Sequence, residues 1–443
     1  MKKNKIKYAA VLCAAALLLS SCEYAETPGT DEAGHEHNVL HWEVVSAVGC
    51  ESEGMRFGTC IDCTSEVRDE QKPLGHSYRN GVCARCGKEQ NEKTGAEAIF
   101  HFERHGSKNG YVLTSVRNVE SEHLEIPSEY EGLPVVAIGE CALAANIDVQ
   151  SVVIPDSVTE IRLSAFYGCT SLKSVVIPDS VTSIGANAFC ACYNLRYVTM
   201  SKNLDTIDAY AFAECYDIRE IVFSDKLKNI SEYCFANCIM LEKVEAPACT
   251  TIGDYAFLQC KRLYSFDFPK TLKKICSGAF SYSSLAKVDL PEGMEAIEYD
   301  AFRGTYLSEV RVPNLKYDNL GAFTNCEKLE TVIIGTDKIN SELYGSENVK
   351  TIVFEEGVKK IEMYSVGVYE ALEAIYLPKS LTLFEATLPN AVNLKKIVYA
   401  GTLSDWLALN RNYYWVFFPE GCVLECADVT LTPEELRAYE TLD

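Results

Sequence analysis

Residues 151–173 read SVVIPDSVTEIRLSAFYGCTSLK, and residues 174–196 read SVVIPDSVTSIGANAFCACYNLR, which is nearly the same unit of 23 residues. The proline of this unit, or a residue in its place, recurs in steps of 20 to 23 residues at Pro155, Pro178, Ser201, Ser224, Pro247, Pro269, Pro291, Pro313, Gly335, Glu355, Pro378 and Ala400. A second marker keeps the same step, a phenylalanine found at Phe166, Phe189, Phe212, Phe235, Phe257, Phe280, Phe302 and Phe323. A fixed period of this length predicts a solenoid of stacked repeats.

The residues one and three positions before the proline slot are apolar in every unit. These inward pairs are Val152/Ile154, Val175/Ile177, Val198/Met200, Ile221/Phe223, Val244/Ala246, Phe266/Phe268, Val288/Leu290, Val310/Val312, Val332/Ile334, Ile352/Phe354, Ile375/Leu377 and Ile397/Tyr399. Because side chains alternate along a strand, each pair is expected to point inward and the residue between them outward. The sequence therefore predicts one continuous parallel sheet, with rungs about 4.8 Å apart and a face roughly 55 Å long. Behind it, the phenylalanines are expected to pack with Ile161, Ile184, Ile207, Ile230 and Ile252.

These motifs resemble the BspA-type leucine-rich repeat, whose pattern is close to Leu-x-x-Ile-x-Ile-Pro-x-x-Val-x-x-Ile-Gly-x-x-Ala-Phe-x-x-Cys. The resemblance assigns 98–148 to the opening segment and first repeat, 149–400 to the repeats, and 401–443 to a C-terminal cap with a helix starting at Thr432-Pro433. It implies a leucine-rich repeat solenoid with a parallel β-sheet face and an irregular or short-helical convex side. It also implies adhesion to host matrix, host cells or other bacteria.

The first 22 residues, MKKNKIKYAAVLCAAALLLSSC, contain four lysines followed by an apolar stretch. That stretch is too short to cross about 30 Å of hydrocarbon as a helix and predicts an export signal. Leu19-Ser20-Ser21-Cys22 resembles a bacterial lipobox, which implies an acyl anchor on Cys22 at the outer face of a bacterial membrane, on the cell surface. The alternative is an ordinary cleaved signal with an incidental thiol at Cys22. Residues 23–40 are polar and acidic and predict a flexible tether.

Residues 41–90 are rich in cysteine, histidine and glycine. Cys60-Ile-Asp-Cys63 and Cys83-Ala-Arg-Cys86 are separated by 19 residues, a spacing typical of a four-thiolate structural zinc site. His41, Cys50 and His76 are additional candidates, either as metal ligands or as packing residues.

The segment at 41–90 resembles a zinc-ribbon-like, cysteine-rich module found beside leucine-rich repeats in bacterial surface proteins, which implies a spacer or docking role. The alternatives are two disulfides or a redox pair at Cys60 and Cys63. A redox motif of the thioredoxin type needs a strand before its first cysteine and a helix after it, and neither is predicted here.

Cysteines also recur three positions after the phenylalanine of the repeat, at Cys169, Cys192, Cys215, Cys238, Cys260 and Cys326. We expect buried free thiols, because Ser283 and Thr305 take the same position in two repeats without breaking the pattern. Stacking at one rung spacing leaves disulfides or soft-metal binding as alternatives. Cys422 and Cys426 are a further candidate pair.

Composition and charge argue against several functions. All seven histidines lie between His35 and His123, so we expect no serine-histidine-aspartate or cysteine-histidine site within the repeats. Asp267 and Asp289 are predicted to be outward neighbours, compatible with a retaining glycosidase pair or a calcium site. Lysines in the next outward column favour a solvated charge network instead. A net charge of −22 disfavours nucleic acid as a partner.

The outward positions of the predicted sheet supply the candidate binding face. Its residues are Val153, Val176, Tyr197, Arg311, Ile333, Val353, Tyr376 and Val398. We name the four apolar residues of the later rungs the C-terminal group (Ile333, Val353, Tyr376 and Val398) and predict that they form the contact surface, with Tyr197, Arg311 and Tyr376 as anchors.

The open sheet face predicts non-catalytic recognition of a macromolecule, and the resemblance to the BspA-type repeat implies that the partner is a protein or glycan on a host or bacterial surface. The alternatives are a carbohydrate-active or thiol-redox envelope enzyme, or a purely structural envelope protein.

Overall fold

The structure of the 443-residue chain is a computed structural model that divides into two units, Met1–Ala96 and Glu97–Asp443. Below residue 98 it describes the backbone of five strands. Beyond that point it describes residues 98–119, 121–316, 320–336, 346–361, 370–384, 391–409, 419 and 421–440.

The described strands of the first unit form a three-stranded antiparallel sheet and a small hairpin. The sheet has the order β1 (Val39–Ser46), β2 (Gly54–Cys60), β3 (Glu66–Gln71), and the hairpin joins β4 (Tyr78–Arg79) to β5 (Val82–Cys83). The expectation that no strand precedes the first Cys-x-x-Cys pair is wrong, because β2 ends at Cys60. Two glycines in β2, Gly54 and Gly58, weaken the strand signal of this segment.

In the second unit, the strands before each proline slot form a parallel array that we call the front ladder. Its strands are β8 (His123–Glu125), β11 (Ser151–Val153), β13 (Ser174–Val176), β15 (Tyr197–Thr199), β17 (Glu220–Val222), β19 (Lys243–Glu245), β23 (Glu309–Val312), β24 (Thr331–Ile334), β25 (Thr351–Phe354), β27 (Ala374–Leu377), β29 (Lys396–Tyr399) and β30 (Val423–Glu425). The predicted inward pairs are buried throughout, except Val198 and Phe268, which are half-buried. The predicted side-chain directions are therefore confirmed.

The front ladder is not continuous, which corrects the prediction of one unbroken sheet. Within this continuously described part of the array, no strand forms at 266–268 or at 288–290. Phe266 and Phe268 both pack on Phe280, with ring centroids 5.1 and 5.5 Å away. The rung at 288–290 carries an aliphatic inward pair, Val288 and Leu290, so the two phenylalanines alone do not account for the interruption.

A second parallel array, the back ladder, runs behind the front one and was not predicted. It comprises β10 (Leu133–Ile138), β12 (Glu160–Ile161), β14 (Ser183–Ile184), β16 (Thr206–Ile207), β18 (Asn229–Ile230), β20 (Thr251–Ile252), β21 (Lys274–Ile275), β22 (Ala296–Ile297), β26 (Lys360–Ile361) and β28 (Leu383–Phe384). The isoleucines expected behind the sheet lie in these strands and are buried. Strands of two residues show no alternation, so periodicity could not reveal this array.

The eight repeat phenylalanines form a single stacked column, which we call the phenylalanine column. Neighbouring ring centroids lie 4.9 to 5.6 Å apart and the rings are within 13° of parallel. Each side chain is at most 1% exposed. Because each of the six inner rings stacks on the rings of both neighbouring repeats, the column joins successive repeats into one core.

The chain turns tightly on both sides of each of these phenylalanines. Around Phe212, for example, Tyr210 and Glu214 have left-handed φ values of 59° and 60°. At Gly278 (φ 62°) a Cβ atom would lie 2.2 Å from the Tyr255 ring, so glycine serves both the backbone and its neighbour. On the convex side, the described repeats contain one short 3₁₀ helix, Leu320–Phe323.

The repeat cysteines are free and buried, as expected. Each thiol donates a hydrogen bond to a carbonyl of the preceding repeat; the pairs are Cys169 to Leu143 (3.2 Å), Cys192 to Phe166 (3.1 Å), Cys215 to Phe189 (3.1 Å), Cys238 to Phe212 (3.2 Å), Cys260 to Phe235 (3.3 Å) and Cys326 to Phe302 (3.3 Å). Burial raises the pKa of Cys215 to about 11. These thiols therefore stay protonated and unreactive near neutral pH.

Ser283 provides a test of this cysteine position. Its hydroxyl is buried and has no hydrogen-bond partner. We expect Ser283→Cys to stabilise the chain by about 1 kcal/mol, because the longer thiol side chain reaches a carbonyl as in the other repeats. Cys215→Ser, the reverse change in a matched repeat, is expected to destabilise by about 1–3 kcal/mol. Urea unfolding midpoints of both variants measure the difference, and a lower midpoint for Ser283→Cys would contradict it.

Both ends of the array are covered by antiparallel strands. At the N-terminal end β6 (Ile99–Arg104) pairs with β7 (Tyr111–Arg117), which pairs in parallel with β10, and β9 (Glu129–Tyr130) also pairs with β10. At the C-terminal end β31 (Thr430–Leu431) pairs with β30.

Two helices complete the C-terminal cap, α1 (Leu403–Leu409) and α2 (Pro433–Glu440), and the second confirms the helix predicted there. Both begin with a reciprocal cap in which a threonine and an acid three residues later exchange hydrogen bonds, at Thr402/Asp405 and Thr432/Glu435. In the part of the chain that the structure describes, no helix has the length and apolarity needed to cross a membrane.

The suggested pairing of Cys422 with Cys426 is wrong, because both are free thiols. They flank the extended strand β30, which separates their Cα atoms by roughly 13 Å. A disulfide requires a Cα separation below about 7 Å.

Candidate binding face

Within each unbroken part of the front ladder, the outward residues form a column in which each side chain stands directly beside the next. Register pairs Glu125 with Val153 and Val153 with Val176, and Val176 with Thr199. Parallel rungs lie about 4.8 Å apart, so consecutive side chains of the column are in contact range. This column and the one beside it, which contains Tyr197, form an open surface on which a ligand could rest.

The early rungs present an exposed apolar surface. We call Val153, Val176, Tyr197 and Val222 the N-terminal patch; they are 43%, 60%, 63% and 46% exposed. Three of them are predicted face residues, whereas Val222 was not among them. It follows the same column three rungs after Val153, so the register alone would have identified it.

The middle rungs are charged. The Lys243 ammonium group lies 2.7 Å from a Glu220 oxygen and 2.6 Å from a Glu245 oxygen, and these hydrogen bonds raise the pKa of Lys243. Asp267 and Asp289 are exposed on the two rungs where the front ladder is interrupted. The arrangement is that of a solvated charge network on an open face rather than a closed reaction pocket.

Arg311, predicted as a ligand anchor, is held by two glutamates. Its guanidinium donates to both Glu355 oxygens at 2.7 Å and to Glu292 at 2.5 Å. These hydrogen bonds, first those with Glu355, raise the pKa of Arg311. A ligand would have to replace this bidentate pair to use Arg311.

The C-terminal group is less exposed than the N-terminal patch. Ile333, Val353, Tyr376 and Val398 are all half-buried. The Lys396 ammonium group lies 5.3 Å from the centre of the Tyr376 ring and covers part of it.

The structure brings one histidine onto the front ladder. His123 lies in β8, and its Nδ1 is 2.7 Å from the Ser151 hydroxyl oxygen. This contact joins a histidine to a serine at the start of the array, but it is a pair and not a serine-histidine-aspartate site. Among the described residues, no acidic side chain bonds the other ring nitrogen, so the pair lacks the third member of a triad.

A second histidine fastens the N-terminal end to the back ladder. His105 Nε2 lies 2.8 Å from Glu160 Oε1, and His105 Nδ1 accepts hydrogen bonds from the amides of Ser107 and Lys108. Both ring nitrogens are thereby used for structure.

The predicted metal ligands are only partly described. Cys60 ends β2, Cys83 ends β5 and His41 lies within β1. The other predicted ligands, Cys50, Cys63, His76 and Cys86, lie outside the described residues, as does the predicted lipid attachment residue Cys22.

A three-residue cluster that the sequence analysis missed lies beside the back ladder. Asp254, Cys276 and Glu298 place possible ligand atoms within 4.8 Å of one another. The Lys274 ammonium group lies 2.6 Å from Glu298, and the Ser277 amide donates to Asp254 at 3.0 Å. Burial raises the pKa of Cys276 to about 11. Since Lys274 already provides the cation and the thiol is protonated, the cluster is explained as a structural ion-pair network.

The two ladders and the phenylalanine column define a leucine-rich repeat solenoid. Six copies of the BspA type Leucine rich repeat region match the chain, at residues 136–264, 250–373 and 319–406. Since these matches cover more than half of its length, the chain belongs to the BspA-type leucine-rich repeat family. No curated protein gives a significant match.

Several solved structures match much of the chain. A leucine-rich repeat protein from Bacteroides ovatus is 22% identical, with 74% of this chain and 98% of that one covered and a TM-score of 0.49. A leucine rich cell surface protein from Faecalibacterium prausnitzii is 21% identical, with coverages of 72% and 99% and a TM-score of 0.41. The pneumococcal vaccine antigen PcpA is 15% identical, with coverages of 74% and 97% and a TM-score of 0.34.

Proposed function

We propose that this protein is an exported surface protein that binds a macromolecule through its front ladder without catalysing a reaction. The N-terminal patch is the observation that carries the proposal. Its branched and aromatic side chains stand on an open sheet, where apolar area is stabilised by burial against another molecule. Tyr197 is the expected anchor, because tyrosine supplies a large contact area with little loss of side-chain entropy.

The ligand is proposed to be a protein or glycan on a host or bacterial surface, in keeping with an adhesion role. Export and anchoring rest on residues 1–22, with Cys22 as the acylated residue. Incorporation of labelled palmitate into the chain, and its loss in Cys22→Ser, distinguishes an anchored protein from a secreted one.

The module at 41–90 is proposed to hold one structural zinc ion through Cys60, Cys63, Cys83 and Cys86. The paired spacing supports this assignment, and a closed four-thiolate site leaves no position for catalysis. Metal content and free-thiol titration of the purified chain separate this proposal from disulfides or a redox pair. Free thiols without zinc, or no free thiols in the module, would contradict it.

Binding to arrays of matrix proteins, glycans and whole bacteria tests the main proposal. We expect Val176→Asp to weaken binding at least about tenfold, because it places a charge in the centre of the apolar contact. Tyr264→Asp is the matched control, since Tyr264 is 58% exposed but lies outside the N-terminal patch. If Val176→Asp binds as tightly as the unaltered chain, the contact surface does not include the N-terminal patch. Tyr376→Ala in the same assay tests whether the C-terminal group is the contact surface.

A further inference from the structure

A row of cations borders the N-terminal patch. Lys173, Arg196 and Arg219 each immediately precede a front strand and are spaced 23 residues apart, which is one repeat. The Arg196 amide donates to the Lys173 carbonyl at 2.9 Å, so these two lie on adjacent rungs. The row is notable because the chain as a whole carries a charge of −22.

Among the described residues, Lys173 and Arg196 form no ion pair with a carboxylate, whereas Arg219, the third cation of the row, does. The Lys173 ammonium group donates to Gln150 at 2.7 Å, and the Arg196 guanidinium lies 5.4 Å from the centre of the Tyr197 ring. Arg196 Nε is shielded from water and has no hydrogen-bond partner. A guanidinium that is partly desolvated and unpaired favours an incoming anion.

On other rungs, the cation immediately before the front strand is paired with an acidic side chain. The Arg219 guanidinium lies 4.0 Å from Glu242, Lys350 lies 2.7 Å from Glu330, and Lys395 lies 2.7 Å from Glu373. The two cations of this row without an acidic partner, Lys173 and Arg196, therefore lie on the rungs of Val176 and Tyr197, the most exposed residues of the N-terminal patch.

We propose that the N-terminal patch binds an extended acidic segment of a partner protein, with carboxylates on Lys173 and Arg196 and apolar side chains over the valines. This inference rests on the proposed function and specifies its partner. Arginine holds a carboxylate through two parallel hydrogen bonds, and Tyr197 keeps the guanidinium in place by cation–π contact. A peptide offers both carboxylates and aliphatic side chains, whereas an acidic polysaccharide has no aliphatic side chains to cover Val153 and Val176.

The test measures binding of capped synthetic peptides to the full chain by fluorescence anisotropy. One peptide alternates glutamate with valine, the second replaces glutamate by glutamine, and polygalacturonate is the acidic glycan probe. We expect the glutamate peptide to bind more tightly than both other probes and to weaken as salt is added.

In the same assay the double variant Lys173→Gln/Arg196→Gln is expected to lose at least about tenfold in affinity for the glutamate peptide. Lys350→Gln, at the matched position of a later rung, is expected to bind as the unaltered chain does. Circular dichroism confirms that the variants remain folded.

Equal binding of the two peptides, tighter binding of polygalacturonate, or an unaffected double variant would overturn the acidic-peptide assignment. If the arrays still find a macromolecule that Val176→Asp releases, the proposed function stands and only the partner class is wrong. If nothing in the arrays and neither peptide binds, the proposed function itself fails.

Discussion

Replacing Phe235 by alanine is expected to lower the free energy of unfolding by about 3–5 kcal/mol. Phe235 is fully buried, and its ring stacks between Phe212 and Phe257 at centroid distances of 5.5 and 5.6 Å. The cavity is expected to stay open, because the backbone hydrogen bond from Phe235 to Ala256, 2.8 Å long, holds the repeats at a fixed spacing. The substitution also removes the contacts of the Phe235 ring with both Phe212 and Phe257.

Guanidinium unfolding followed by circular dichroism measures this loss, with Tyr264→Ala as the exposed aromatic control. The control is expected to change the unfolding free energy by no more than about 0.5 kcal/mol. Because a repeat contacts only its neighbours, hydrogen exchange should also accelerate first in β17 and β19. A loss below about 1 kcal/mol for Phe235→Ala would show that the phenylalanine column contributes little to the core.

The front ladder was predictable from the sequence because its information is local and repeated. Each rung carries two inward apolar residues at fixed distances from a proline slot, so the direction of Ile154 or Ile177 follows from alternation alone. The phenylalanine column is predicted in the same way, because its residues recur with the same repeat period. The inward pair recurs twelve times and the phenylalanine eight times, so both patterns stand out from the background composition.

The interruption of the ladder and the back ladder depend on packing that no single repeat reveals. Phe266 and Phe268, and Val288 and Leu290 on the next rung, satisfy the inward pattern as well as any other pair, yet neither rung forms a ladder strand. The pattern of apolar positions therefore predicts which way these side chains point but not whether the backbone pairs. The back-ladder strands of two residues are shorter than one period of alternation.

The sequence predicted which residues of the candidate binding face point outward, but not how exposed each side chain is. Tyr197 and Arg311 look equivalent in sequence, as large side chains at outward positions. Arg311 is occupied by Glu355, which is 44 residues away in the chain, and no spacing rule connects the two. Tyr197 instead remains 63% exposed, with Arg196 beside it. The favoured contact surface therefore shifts from the C-terminal group, whose side chains are half-buried, to the more exposed N-terminal patch.

The second large effect is expected at the C-terminal cap, where Trp406→Ala should cost about 3–5 kcal/mol. Trp406 is 2% exposed, and its ring packs against Phe384 and Tyr399, each 5.6 Å away between centroids. These two residues belong to different ladders, so the tryptophan closes both at the end of the array. Without it, the inward side chains of the last rungs meet water, which a solenoid must avoid at its ends.

We expect the loss of hydrogen-exchange protection in Trp406→Ala to be largest at the C-terminal end of the solenoid and to decrease toward the N-terminal end. Hydrogen exchange should rise first in β29 and β27, while β11 and β13 keep their protection, because coupling passes only between neighbouring repeats. Tyr439→Ala on α2, where the side chain is 46% exposed, is the matched control and should leave exchange in β29 unchanged. Uniform acceleration in all rungs would mean that the array unfolds as one cooperative unit, and an unchanged β29 would mean that Trp406 does not close the core.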